Sequence, residues 1–186
     1  MFVRHSMMRA FASVTIVLLI GSICSNSLLS DEESPEGTDT AFGPDVPKYS
    51  PLTKEQLKKK LTKTQYEVTQ EAGTERAFTG RYWDNKKDGV YTCVVCKLPA
   101  FDSKTKYKSG TGWPSFWKPI SKKYVETKTD WKLFYPRTEV HCKRCKSHMG
   151  HVFTDGPEPT GLRYCLNSAA LEFLERDSSK DQSSAK

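Results

Sequence analysis

The sequence predicts a mainly β domain of antiparallel strands with short helices at its N-terminal end. Beyond Gly80 the chain breaks into short runs rich in Val, Tyr, Phe and Trp, side chains that suit a pleated, half-buried surface. These runs are punctuated by Gly89, Pro99, Gly110, Gly112, Pro114, Pro136, Gly150, Gly156, Pro157, Pro159 and Gly161, and strands interrupted this often turn back on their neighbours. Ahead of them, Thr53 and Gln56 have the spacing of a capping box, and Leu57 and Leu61 mark one face of a short helix ending near Thr62. There is no Gly-rich phosphate loop, internal repeat or heptad.

The N-terminal 30 residues contain no acid, and Arg4 and Arg9 precede an apolar run over residues 10–23. That run is shorter than the roughly 20 residues a spanning helix needs. The pattern predicts a secretory signal peptide over residues 1–27 and an exported chain: periplasmic, secreted or in the lumen of the secretory pathway. An organellar transit peptide and an uncleaved membrane anchor are the alternatives. No stable membrane insertion is expected after cleavage. Residues 28–50 mix six acids with Pro and Gly and bury too little apolar surface to order themselves, which predicts a disordered linker. Residues 51–175 form the folded domain and residues 176–186 a polar tail. The domain carries 23 Lys and Arg against 14 Asp and Glu, about +9 and more basic than the whole chain at +7.

Of the six cysteines, Cys93 and Cys96 form one C-x-x-C pair and Cys142 and Cys145 another. Two residues between ligands let a tight turn aim both thiolates at one point about 2.3 Å away, as tetrahedral zinc requires. Two such turns predict one closed, structural zinc site per chain. Four thiolates on a dication leave a charge of −2, and Lys97, Lys143, Arg144 and Lys146 stand beside the ligands to offset it. The competing assignment is a disulfide within each pair and a thiol oxidoreductase working through it. His148 and His151, three residues apart and followed by Val152, Phe153, Thr154 and Asp155, are left free for other work.

Cys24 lies in the apolar leader, so Cys165 is the cysteine without a local partner. On a strand, Arg163, Cys165 and Asn167 share one face and Tyr164, Leu166 and Ser168 the other. The first face is polar, and a cation beside a thiol favours the reactive thiolate. Cys165 therefore reads as a nucleophile, against the alternative of a small buried hydrophobe.

Four blocks carry a specific resemblance: residues 69–75 (Thr-Gln-Glu-Ala-Gly-Thr-Glu), 110–116 (Gly-Thr-Gly-Trp-Pro-Ser-Phe), 150–153 (Gly-His-Val-Phe) and 163–171 (Arg-Tyr-Cys-Leu-Asn-Ser-Ala-Ala-Leu). With both C-x-x-C pairs, residues 51–175 resemble the type B methionine sulfoxide reductases, the methionine-R-sulfoxide reductase family. The resemblance implies two antiparallel β-sheets in a barrel-like core, a structural zinc away from the reaction, and no organic cofactor. It implies repair of oxidised proteins by reduction of peptide methionine-R-sulfoxide. Cys165 would attack the sulfoxide sulfur and be left as a sulfenic acid. His148 and His151 would protonate the departing oxygen, directly or through water. Asp155, Arg163 and Asn167 would orient the histidines and polarise the site, while Trp113 and Phe153 would bind the substrate. Many family members carry a resolving cysteine where this chain has Thr111. The expected electron donor is therefore an external thiol, thioredoxin-like or smaller.

The rival class is a basic zinc module that binds nucleic acid through Trp83, Trp117 and Trp131. The leader and the interleaving of Lys with acids argue against it, and such a module has no use for Cys165. No nucleic-acid partner is expected, and nothing requires more than a monomer.

Overall fold

A computed structural model describes residues 46–131 and 135–176 of the chain, all within one compact unit. The leader, most of the acidic linker and the polar tail beyond residue 176 lie outside the described residues. Among the described residues, no helix is long and apolar enough to cross a membrane.

The first helix, α1, spans Lys54–Lys60. Its capping box forms as the sequence predicts: Gln56 N donates to Thr53 Oγ1 at 3.3 Å and Thr53 N to Gln56 Oε1 at 2.8 Å. Leu61 turns extended and ends it. Thr62 and Gln65 then repeat the same box and open a second helix, α2, over Lys63–Glu71. The residue that looks like an end in the sequence is a second start.

Among the described residues, nine strands follow in two antiparallel sheets. The smaller holds β1 (Gly89–Cys93), β2 (Pro99–Asp102) and β9 (Leu171–Glu175) in the order β2-β1-β9. The larger holds β3 (Lys106–Tyr107), β4 (Ser115–Phe116), β5 (Val125–Asp130), β6 (Arg137–Cys142), β7 (His148–Phe153) and β8 (Arg163–Leu166) in the order β3-β4-β8-β7-β6-β5. The two sheets are as expected, but the larger one does not close into a barrel. Its outer strands β3 and β5 are not paired with each other, and closure requires that pairing.

The sheets are joined by aromatic packing. Tyr91 and Phe101 from the small sheet meet Phe116 from the large one at ring-centroid distances of 5.1 and 4.9 Å, and Phe101 meets Tyr164 at 5.5 Å. Tyr91, Phe101, Phe116, Leu166, Met149 and Val140 are essentially inaccessible to solvent, and burying each large apolar side chain contributes about 1.5–3 kcal/mol. This leaves the other face of the large sheet free to be polar, and the site is built there.

Candidate active site

Five residues stand directly opposite one another across five strands: Ser115 on β4, Cys165 on β8, His151 on β7, Glu139 on β6 and Lys128 on β5. Directly opposed residues share a face, so the register alone puts thiol, imidazole and carboxylate in one row. The alternation predicted for β8 holds, with Tyr164 and Leu166 buried and Arg163 and Cys165 half-buried. Gly150 makes the row compact, because a Cβ there would come within 2.1 Å of the Cys165 carbonyl oxygen. Only glycine lets β7 and β8 approach this closely.

Cys165 lies in a cleft of about 120 Å³ lined by Trp113, Arg137, His151, Phe153, Asn167 and Thr74. Its Sγ is 3.8 Å from Thr111 Oγ1. Thr111 in turn bonds Ser109 Oγ at 2.9 Å, and Ser109 bonds Ser115 at 2.7 Å, so a chain of hydroxyls leads away from the sulfur. Burial pushes the thiol above its ordinary pKa; Thr111, the Arg163 charge and Ser115 pull the other way without cancelling it. Arg163 does favour the thiolate, as the sequence predicts, but the net direction for Cys165 is upward. Desolvation of the charged form outweighs a guanidinium already engaged elsewhere.

That engagement is with Asp155, which accepts from Arg163 Nε and Nη2 at 2.8 Å each. Asp155, expected to orient the histidines, instead fixes Arg163, whose guanidinium lies 4.4 Å from the Phe153 ring centroid. The histidines are held by carboxylates from other strands. His148 Nδ1 is 2.7 Å from Glu139 Oε1, and Lys128 pairs with the other Glu139 oxygen at 3.1 Å. His151 Nε2 is 2.9 Å from Asp130 Oδ2, which Arg137 also contacts at 2.6 Å. A carboxylate can only accept, so these nitrogens carry hydrogen in the neutral rings.

Residues three apart on a regular strand point to opposite faces, yet the two imidazoles pack edge-to-face at 5.3 Å. The cause is a bulge. Val140 pairs with Gly150 and His141 with His148, leaving Met149 without a partner on β6. The extra residue flips the alternation and returns His148 to the face of His151. His148 is buried behind His151 and does not itself line the cleft.

Asn167 is anchored at both ends of its amide. Its Oδ1 accepts from Glu75 N at 3.0 Å, and its Nδ2 donates to the Met149 carbonyl at 3.2 Å. Trp113 Nε1 donates to the Glu75 carbonyl at 3.0 Å, and the Glu75 carboxylate accepts from Ser168 N at 2.6 Å and Ala169 N at 2.8 Å. One residue of the 69–75 block thus ties together the cleft wall, Asn167 and the turn after Cys165. Nothing in the sequence marks Glu75, Glu139 or Asp130 as site residues. The first lies at the end of the 69–75 block, and the other two carry no local motif.

The four paired cysteines converge as predicted. Their Sγ atoms all lie within 4.8 Å of one another, with Cys93–Cys145 at 3.6 Å and Cys96–Cys142 at 3.4 Å. Sulfurs about 2.3 Å from a tetrahedral ion stand about 3.8 Å apart, so the donor set fits a metal. A disulfide needs about 2.05 Å, and all five described cysteines are free. The two turns are near copies: Lys97 N donates to Cys93 O at 2.8 Å and Lys146 N to Cys142 O at 2.9 Å, with both lysines left-handed at φ 62° and 61°. The flanking cations do not serve the sulfurs as a group. Lys97 pairs with Glu172, while Lys143 and Lys146 pair with Glu126 at 2.8 and 2.6 Å. Arg144 donates to the carbonyls of Cys96 and Pro47. A carboxylate within reach is a stronger local partner than a diffuse cluster charge.

The SelR domain family matches residues 61–175. The chain belongs to that family. A chloroplastic peptide methionine sulfoxide reductase B1 from Arabidopsis thaliana is 48% identical over 161 residues, 86% of this chain and 79% of the relative. Peptide methionine sulfoxide reductases MsrB from Thiobacillus denitrificans and Burkholderia lata are 51% and 54% identical over 127 and 122 residues. These matches cover 68% and 65% of this chain and 96% and 85% of the relatives. The SelR domain holds the whole cleft and all four clustered cysteines.

Proposed function

We propose that this SelR-domain protein reduces peptide methionine-R-sulfoxide, with Cys165 as nucleophile. The observation that carries the proposal is a thiol in a tight cleft between an indole wall and a carboxylate-held imidazole, His151, with a second imidazole packed behind it. Cys165 loses its proton and its sulfur attacks the sulfoxide sulfur. That attack forms a sulfur–sulfur bond; this bond and the sulfur–oxygen bond then break as the oxygen passes to the Cys165 sulfur, so methionine leaves as the thioether and Cys165 is left as a sulfenic acid. The overall step is thiol plus sulfoxide giving sulfenic acid plus thioether. Its proton requirement is met by His151 facing the cleft, with His148 behind it; Asp130 and Glu139 orient the two rings. Arg163, fixed by Asp155, lowers the cost of charge on Cys165 as the thiolate forms. Trp113 and Phe153 supply the apolar walls for the substrate's methyl group, and Asn167 polarises the floor.

Thr111 occupies the place of a resolving thiol, and the other described cysteines belong to the cluster. The sulfenic acid is therefore reduced by two equivalents of an external thiol, thioredoxin-like or smaller, giving water and a disulfide on the donor. The cluster's chemistry suits a structural zinc held by Cys93, Cys96, Cys142 and Cys145, since four thiolates leave no open position for substrate. One metal per chain by elemental analysis is the expected result.

The acid-free leader reads as a targeting segment. The chloroplastic relative supports organellar import over the export expected from sequence, and fusing residues 1–50 to a fluorescent protein tests the destination.

Kinetics on separated epimers decide the activity. Turnover confined to the R epimer, abolished in Cys165→Ser, is expected; undiminished turnover in the variant ends the proposal. Mass spectrometry after one turnover without reductant should find a sulfenate adduct on Cys165, whereas a disulfide from Cys165 to the cluster would exclude direct reduction of the sulfenic acid by the external donor.

A further inference from the structure

Beside the Cys165 cleft, on the far side of Trp113, lies a larger groove of about 420 Å³. Trp113 lines both, and the segment Ser109, Gly110 and Gly112 that walls the groove brackets Thr111, 3.8 Å from the sulfur. The groove has an aromatic corner. Phe78 is 56% exposed, holds a left-handed backbone at φ 65° and meets Trp83 edge-to-face at 5.4 Å. A bulky residue rarely adopts that conformation without a reason elsewhere in the structure. Here the loop enforces it: Phe78 N donates to the Gly112 carbonyl at 2.8 Å, and a Cβ on Gly112 would strike the Phe78 ring at 2.7 Å. An exposed aromatic is thus locked onto the loop that carries Thr111.

The rest of the groove is basic. Lys86, Lys106 and Lys108 line it against a single acid, Asp84. Lys86 and Lys108 are exposed and form no ion pair among the described residues, while Lys106 Nζ donates to the Trp83 carbonyl at 3.1 Å. Lys87, also at the groove, is already neutralised by Glu175 at 2.8 Å.

We propose that this groove receives the polypeptide residues flanking the oxidised methionine, and that it selects flanks combining an apolar or aromatic side chain with carboxylates. The inference rests on the reading that the Cys165 cleft takes methionine sulfoxide within peptides. The shared Trp113 wall makes groove and cleft one continuous surface for an extended chain. Phe78 and Trp83 cover the apolar side chain, and Lys86 and Lys108 meet the acids.

The test is fluorescence anisotropy of labelled methionine-R-sulfoxide peptides on the Cys165→Ser protein, which binds without turnover. Phe-Asp-Glu flanks should bind about ten-fold tighter than Ser-Lys-Lys flanks at low salt, a factor within reach of two exposed charge pairs. The advantage should shrink at high salt. The double variant Lys86→Glu with Lys108→Glu should invert it, and Phe78→Ala should weaken the Phe-bearing peptide while keeping the charge preference. Equal affinities, or a preference that survives the charge reversal, overturn the proposal. So does a charge reversal that changes only the KM for a protein thiol donor, because the groove would then serve the reductant. Epimer turnover by the unsubstituted enzyme reports separately on the underlying reading. R-epimer turnover with no flank preference rejects the groove alone, and a flank preference without turnover of either epimer rejects the reductase reading.

Discussion

Removing the Glu75 carboxylate should loosen the whole site, although this side chain does not touch Cys165. It accepts two backbone N–H groups, from Ser168 and Ala169, at 2.6 and 2.8 Å. Hydrogen bonds to a charged acceptor contribute about 1.5–3 kcal/mol each. Glu75→Gln keeps one carbonyl oxygen but turns an amide donor toward the other backbone donor, so it should cost about 2–3 kcal/mol. Glu75→Ala, which loses both bonds, should cost about 3–5 kcal/mol. The same residue's backbone holds Asn167 and Trp113. A shift of this segment moves the cleft wall, and misplacement on the ångström scale costs up to about 10²-fold in rate. Urea denaturation of the metal-loaded protein gives the stability, and kcat/KM on N-acetyl methionine-R-sulfoxide gives the activity. Both variants within about 0.5 kcal/mol of the parent, with unchanged kcat/KM, would refute the reasoning.

Three further outcomes follow from the geometry. Thr111→Cys puts a second thiol beside the Cys165 sulfur, which now lies 3.8 Å from the Thr111 hydroxyl; one turnover without reductant should yield a disulfide between Cys165 and the introduced thiol by mass spectrometry, and persistent sulfenate would show the loop too stiff to close. Because burial holds the Cys165 thiol above its ordinary value of 9.0, iodoacetamide alkylation of the free enzyme should still be rising at pH 9, and Arg163→Met should push the profile higher; a plateau below pH 8 would contradict both. Burial alone would raise the Glu139 pKa, but hydrogen bonds from His148 and Lys128 bring it below 4.5 overall. A depressed folded pKa stabilises fully above the unfolded value and the contribution fades as pH falls through the folded one. Glu139→Gln should therefore be less stable near neutrality and show a flatter loss of stability below about pH 4.5, read by thermal melts across pH.

Much of the site is legible in the sequence because its signals are local. Alternation within five residues separates Cys165 from Tyr164 and Leu166, and a two-residue spacer brings each cysteine pair to one point. The capping box at Thr62 and Gln65 is just as local, but it is masked by standing where the first helix runs out. Glu139, Asp130 and Glu75 are not legible in the same way. Each acts on residues 9, 21 and 92 positions away in the chain, and nothing in a single sequence marks which acid crosses to which partner.

The sequence by itself determined that this is an antiparallel β protein resembling the type B methionine sulfoxide reductases, with a thiol on a polar strand face and four thiols in reach of one ion. Tertiary structure alone decided how that thiol is tuned. Burial overrode the arginine next to it, and strand register put imidazole and carboxylate in its row. The Met149 bulge set both histidines on one face against the rule of alternation. These outcomes depend on desolvation and on pairing across strands, which local residue order does not specify.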